Sequence, residues 1–272
     1  MHLSFNQQLK EACQEKNNYL CIGLDINPEK FSKGKISILD AMETFGKEII
    51  DGTISFCPIY KPNFAFYERL GSQGYALLER LVDYIDGRAI VIADAKRGDI
   101  GNTSRQYARS ILDTMGCDAI TISPYMGREA IEPFIDNPEK GVFILVVTSN
   151  IGARKIQEHG GDVDPLYKKV IQMADELNYA DNIGLVVGAT QTDIMKDVRK
   201  LSKEMPWLIP GVGSQGGDLE KSLKTSHDKG ISIINISRGI LYAGDGSTNA
   251  AIQAARDYTN KIRGIVCNPV NC

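Results

Sequence analysis

Ala89-Ile90-Val91-Ile92-Ala93-Asp94-Ala95-Lys96-Arg97-Gly98-Asp99 passes directly from five apolar residues into a cluster of charges. A continuous apolar run of this length, without period-two alternation, fits a parallel strand covered on both faces. Runs of the same kind begin near Tyr19, Ile54, Ala119, Val142, Ile183, Trp207 and Ile231. They recur about every 30 residues, the size of one βαβ unit. Helical patterns fill the gaps. Leu77, Leu78, Leu81, Val82 and Ile85 form a stripe at helical spacing. Asp164-Pro165 reads as an N-cap followed by the first helical position, ahead of the apolar face Leu166, Val170, Ile171, Ala174 and Leu177. Asn102 or Thr103 is expected to cap a helix that runs to Met115. Eight evenly spaced units predict an α/β protein, a closed (β/α)8 TIM barrel in one domain over residues 1–272, with a loose tail from about 265. An open doubly wound sheet is the alternative. Pro58 lies inside the second run, where it removes a ladder donor, so that strand is expected to start late or to bulge.

Composition agrees with one self-sufficient core. The chain has 272 residues, 43% of them hydrophobic, with 31 basic against 34 acidic side chains. A net charge of −3 gives no basic excess to draw it to nucleic acid or anionic lipid. No run approaches the roughly 20 apolar residues of a membrane helix; Phe143–Val147 is typical of the longest. The N-terminal stretch lacks the apolar core of a signal peptide. Cys13, Cys21, Cys57, Cys117, Cys267 and Cys272 show no CxxC spacing, so reduced thiols in a cytoplasmic protein are expected, with a bridge between Cys267 and Cys272 as the alternative. His2, His159 and His227 are scattered, which disfavours a multi-His metal site or a His-based triad.

In barrels of this kind chemistry sits at the C-terminal strand ends. Those positions hold Asp25, Lys61, Asp94 with Lys96, Ser123, Thr148 with Ser149, Ala189 with Thr190, Gly211, and Ser237 with Arg238. Charges abutting buried apolar runs are costly unless paired or functional. Strand periodicity puts Asp94 and Lys96 on one face, with Asp99 just beyond Gly98. A Lys between two carboxylates is held protonated, which suits it to deliver a proton to a carbanionic carbon. The bland reading is a salt bridge that closes a strand end. Asp25, Lys61, Asp94 and Lys96 would alternate in sign over three neighbouring strands, so that each charge is compensated. A second constellation, Pro210-Gly211-Val212-Gly213-Ser214-Gln215-Gly216-Gly217-Asp218 with Ser237-Arg238-Gly239, follows the seventh and eighth strands. Gly-rich backbone and an Arg fork in that place suit a phosphate. A phosphorylated small substrate, with its reacting carbon near Lys96, is the joint implication. A Schiff-base role for Lys96 would want a desolvated, easily deprotonated amine, and flanking carboxylates oppose that.

These residues resemble the orotidine 5′-phosphate decarboxylase family, in its longer bacterial subgroup. The likeness rests on Asp94–Ile100 (DAKRGDI), Gly23–Asp25, Tyr60–Glu68 (YKPNFAFYE), Val147–Asn150, Pro210–Asp218 and Ser237–Gly239. It implies a cofactor-free, metal-free barrel homodimer that converts orotidine 5′-monophosphate to UMP and CO2. By the same resemblance Lys96 would protonate C6, and Asp94 would face the departing carboxylate. Asp99 and Thr103 would enter the partner's site. Asp25 and Lys61 would hold the ribose and the charge network, and Ser149, rather than Ser123, would meet the pyrimidine. Pro210, Gln215, Gly217, Arg238 and Gly239 would surround the phosphate. The stretch Ser149–Asp164 is read as a lid or, in preference, a subgroup insertion, with His159 at its surface. Two other classes compete. A sugar-phosphate enzyme of the same suprafamily would want a metal-binding acid two positions before Asp94, where this chain has Ile92. A non-catalytic phosphate sensor would not need the Lys96 array.

Overall fold

The computed structural model describes residues 3–31, 36–161, 163–213, 217–227 and 230–266. Its parallel strands are β1 (Leu20–Gly23), β2 (Ile59–Lys61), β3 (Ile90–Arg97), β4 (Ala119–Ile122), β5 (Gly141–Val147), β6 (Ile183–Val187), β7 (Trp207–Ile209) and β8 (Ser232–Ile236). They close into a barrel in sequence order, with β8 paired back onto β1. The periodic apolar runs therefore are the barrel staves. The second stave starts late. The helix Ile38–Thr53 reaches the beginning of that run, and β2 opens at Ile59 directly behind Pro58. Pro58, which has no N–H, contributes its carbonyl, accepting from Ile90 N at 2.9 Å.

Side-chain alternation divides the barrel into layers. Cys21, Ile59, Ile92, Ala119, Phe143, Val186, Leu208 and Ile233, one from each strand, fill the interior as a single buried cluster. Phe5, Leu9 and Cys13 of the N-terminal helix Phe5–Glu15 close it from below, with Phe5 edge-on to Phe143 at 6.0 Å. Each large apolar side chain in that plug contributes about 1.5–3 kcal/mol. The larger cluster lies between the strands and the outer helices, where the stripes Leu77–Ile85 and Leu166–Leu177 are buried. Because the barrel interior is filled up to the plug layer, a cavity inside the barrel can open only above it, at the C-terminal rim.

Two local expectations need correction. Asp164 is not the cap of the helix Leu166–Leu177: Pro165 holds that position, and the Asp164 carboxylate pairs with Lys169 Nζ at 2.8 Å. Neither Asn102 nor Thr103 caps the helix after β3. That helix runs Gly101–Ala108 and widens into a π-turn over Arg109–Thr114, with Ile100 as N-cap. Ser104 does the capping work from inside, its hydroxyl accepting from Asp99 N and donating to Asp99 O. The last helix runs Thr248–Val266, and the residues beyond it, Cys267 and Cys272 among them, lie outside the described residues. Cys13, Cys21, Cys57 and Cys117 are free and buried, and burial pushes the Cys57 thiol up to about 11. Among the described residues no helix is long and apolar enough to cross a membrane.

Candidate active site

Two residues beyond the plug layer, the same alternation points Lys61, Asp94, Thr121, Leu145, Pro210 and Asn235 into a cavity of about 270 Å³. Asp25, Asn63, Lys96, Ser149, Ser237 and Arg238 line its wall and mouth. The sequence-derived strand-end charges thus converge on one cavity.

β3 departs from regular alternation where the chemistry is densest. Its register against β4 shifts between Ala93 and Arg97, and Lys96 has φ +47°, a left-handed conformation that costs a side-chain-bearing residue about 1–2 kcal/mol. The bulge, rather than plain pleating, brings the Lys96 ammonium onto Asp94 Oδ1. Lys61 Nζ holds the other oxygen, Oδ2, at 2.7 Å. Thr121 completes the arrangement, donating to Asp94 Oδ1 at 3.1 Å and accepting from Lys96 N at 3.0 Å.

Lys61 is 3% exposed, whereas the Lys96 side chain is half exposed toward the cavity mouth. Burial opposes ionisation of Asp94, but the Lys61 and Lys96 ammonium groups outweigh it and hold the carboxyl well below the usual range. Burial likewise presses the Lys61 ammonium to deprotonate, and the carboxylates of Asp94 and then Asp25 reverse this, leaving it above its ordinary value. Two neighbouring hydroxyls fix the Asp25 backbone. Tyr67 donates to Leu24 O at 2.7 Å, and Tyr242 donates to Asp25 O at 3.2 Å while accepting from Asn27 N. Asp25 Oδ1 is buried with no hydrogen-bond partner among the described residues.

The opposite rim is built from backbone turns. Pro210 lines the cavity, and its carbonyl accepts from Ala189 N at 2.9 Å. Gly217 N donates to Gly211 O at 3.1 Å, and a Cβ at Gly217 would come within 2.5 Å of the Ala189 Cβ, so the loop can pack here only without a side chain. Asp218 then caps the helix Leu219–Ser226 by accepting from Lys221 N. Arg238, at the start of the short helix after β8, is exposed into the cavity. Gly217 and Gly239 shape this rim without lining it, and Gln215 lies outside the described residues.

Ser149 lines the cavity, whereas Ser123 does not; Ser123 N is bonded to Arg97 O. The stretch after Ser149 folds into two short helical turns, Ile151–Ala153 and Arg154–Gln157, with His159 exposed. It is stitched down by residues that a strand-end reading does not reach. The Gln157 amide bonds Thr148 twice, and Arg154 reaches Gln191 and, at 2.7 Å, Asp193.

Asp99 and Thr103 do not line this cavity. The Asp99 carboxylate accepts from Ile100 N at 2.7 Å, so within one chain Lys96 is not flanked by two carboxylates as the spacing suggested. Asn63, Thr121 and Asn235 were missed by sequence reasoning. Counting two residues on from each inward-facing apolar residue finds Thr121 and Asn235 directly.

A sequence model of the orotidine 5′-phosphate decarboxylase / HUMPS family matches residues 18–258. An orotidine 5′-phosphate decarboxylase of Dehalococcoides mccartyi is 44% identical over 272 residues, covering 96% of this chain and 99% of its own. That of Christiangramia forsetii is 41% identical, covering 92% and 94%. Among solved structures, Leishmania donovani OMP decarboxylase superposes with a TM-score of 0.81 at 34% identity, covering 96% of this chain and 99% of that one. Near-complete coverage at these identities, on a barrel of the same architecture, makes the chain a member of the orotidine 5′-phosphate decarboxylase / HUMPS family.

Proposed function

We propose that the chain is a carboxy-lyase that converts orotidine 5′-monophosphate to UMP and CO2, with Lys96 as proton donor and without a cofactor. The observation that carries this reading is the Lys61–Asp94–Lys96 network, facing Arg238 across one small cavity. Decarboxylation leaves an electron pair on the pyrimidine carbon. An ammonium fixed beside that carbon stabilises the developing charge and then supplies the proton. The Asp94 carboxylate, held ionised by its two lysines, repels the substrate carboxylate and favours its departure as neutral CO2. Arg238, the loop backbone around Gly217 and Gly239, and Gln215 grip the phosphate, whose binding energy orients a distant bond. Asp25 and Lys61 hold the ribose hydroxyls, and Ser149 meets the pyrimidine amide edge. A cytoplasmic homodimer completes the proposal. Asp99 and Thr103, which do not line their own cavity, reach into the partner's, and the exposed apolar side chains of Ile100, Tyr125 and Met126 pack against the second copy. The chemistry of the donor set weighs against the metal-dependent sugar-phosphate reading. Position 92 holds a fully buried Ile, and the two carboxylates of the ring are interleaved with two ammonium groups that oppose a divalent cation.

The test is loss of orotidine monophosphate ultraviolet absorbance on adding purified protein after exhaustive chelation. Turnover that persists supports the reading; absent turnover, or turnover restored only by metal, sinks it.

A further inference from the structure

Lys96 occupies an unfavourable backbone conformation, and something must hold it there. The adjoining side chain, Arg97, is tethered on several sides, although its Nε is buried with no hydrogen-bond partner among the described residues. The Arg97 guanidinium donates to Ala95 O at 3.2 Å, on the far side of Lys96, and pairs with Glu68. It also stacks against Phe64 at 5.7 Å and Tyr107 at 5.4 Å, within cation–π range. Phe64 is itself buried, and its N–H donates to Asp94 O at 3.2 Å. On the β4 side, Arg97 O accepts from Ser123 N at 2.8 Å. One side chain therefore closes a strap over the bulge and ties it to the segments that carry Lys61 and Asp99.

We propose that Arg97 is a positioning residue for the reaction, its planar fork and stacked face holding Lys96 in the left-handed bulge that sets its ammonium against Asp94. This rests on the decarboxylase reading above. The fork explains why Arg stands here. A Lys could satisfy Glu68 by charge alone, but it could not also reach Ala95 O and lie flat between two rings. Thr121 serves the same end from β4 through Lys96 N.

The experiment compares wild type, Arg97→Lys and Arg97→Ala by steady-state kinetics, UMP affinity by calorimetry, and subunit assembly by sedimentation. A displacement of a reacting group by about 1 Å can cost about 10²-fold in rate. Arg97→Lys should therefore lose about 10–100-fold in kcat, with KM and UMP affinity moving less than about threefold and sedimentation unchanged. Arg97→Ala should lose more. The pH profile of kcat should also change shape in Arg97→Lys, because Lys96 is no longer locked onto Asp94; a purely structural role would not move it. Wild-type kcat in Arg97→Lys, or a loss confined to KM or accompanied by dissociation or unfolding of that conservative variant, overturns the proposal. A wild-type protein that does not turn over overturns the decarboxylase reading first, and with it the step that Arg97 is said to serve.

Discussion

On the β2–β4 side of the cavity Lys61, Asp94, Lys96 and Thr121 satisfy one another, whereas on the β7–β8 side the Ser237 hydroxyl is buried with no hydrogen-bond partner among the described residues and Arg238 stands exposed. The mutual bonds of the first set are in place before any ligand arrives, while Asp25 Oδ1 at the end of β1 is left for a ligand to complete. Lys61 and Asp94 are fixed by mutual attraction in a largely dry setting, with Lys96 half exposed beside them, so little reorganisation is needed when charge develops nearby. The second side is a set of donors that an incoming anion would complete. The difference separates a region suited to chemistry from a region suited to grip. Changes in the first should strike turnover, and changes in the second should strike affinity.

The largest expected effect is at Lys96. Lys96→Ala should lower kcat by at least about 10⁴-fold, since both the proton donor and the adjacent positive charge are gone. UMP affinity should change less than about threefold. A kcat loss below tenfold, or equal loss of UMP binding, would erase the division between the two sides.

Lys61 carries a second, structural effect. Removing one partner of a buried pair typically costs about 3–5 kcal/mol, because the other charge is left uncompensated. Lys61→Ala should be destabilised on that scale in denaturant titrations at neutral pH. Asp94, depressed in the folded chain, adds stability at pH values above its unfolded value of about 3.9, and this is lost as pH falls through the native value. The gap between wild type and Lys61→Ala should therefore narrow below about pH 4. Lys61, raised in the folded chain, keeps its contribution until pH climbs past about 10.4. A gap that stays constant down to acid unfolding would mean that Asp94 does not depend on Lys61.

Arg238→Ala tests the other side. Loss of a charge-assisted hydrogen bond is worth about 1.5–3 kcal/mol, or about 10–150-fold. That loss should fall on KM and UMP affinity, with saturating kcat and thermal stability nearly unchanged, since Arg238 is exposed. A destabilised variant, or one impaired mainly in kcat, would contradict a pure gripping role.

The two sides were also unequally legible in the sequence. The strands were readable because buried parallel staves are continuously apolar, and Asp25, Lys61, Asp94 and Lys96 stood out because charges directly behind such runs are costly. The bulge at Lys96 was not, because left-handed backbone at a Lys leaves no mark in residue type; it is held by Thr121 and Ser123 from the neighbouring β4 segment and by the side chain of Arg97. Thr121 and Asn235 escaped because uncharged polar residues inside a strand look like tolerated exceptions. The late start of β2 was signalled by Pro58, whereas the Ser104 cap was hidden, since it acts backward from inside its helix.

The smallest effect is the most specific, and it concerns how one side is completed. Within a chain Lys96 has Asp94 beside it, while Asp99 is turned to Ile100 N. If Asp99 acts across a dimer, Lys96→Ala and Asp99→Asn proteins, each inactive alone, should complement when their subunits exchange. In a mixed dimer one site receives Lys96 from one chain and Asp99 from the other, and the second site receives neither. Random exchange at equal concentrations makes about half the dimers mixed, so activity should return to about a quarter of wild type. The Asn side chain can still accept from Ile100 N, and Ser104 bonds only the Asp99 backbone, so the helix start should survive the change. Exchange demonstrated by tagged subunits with no return of activity would confine Asp99 to its own chain, and the open flank of Lys96 would need another partner.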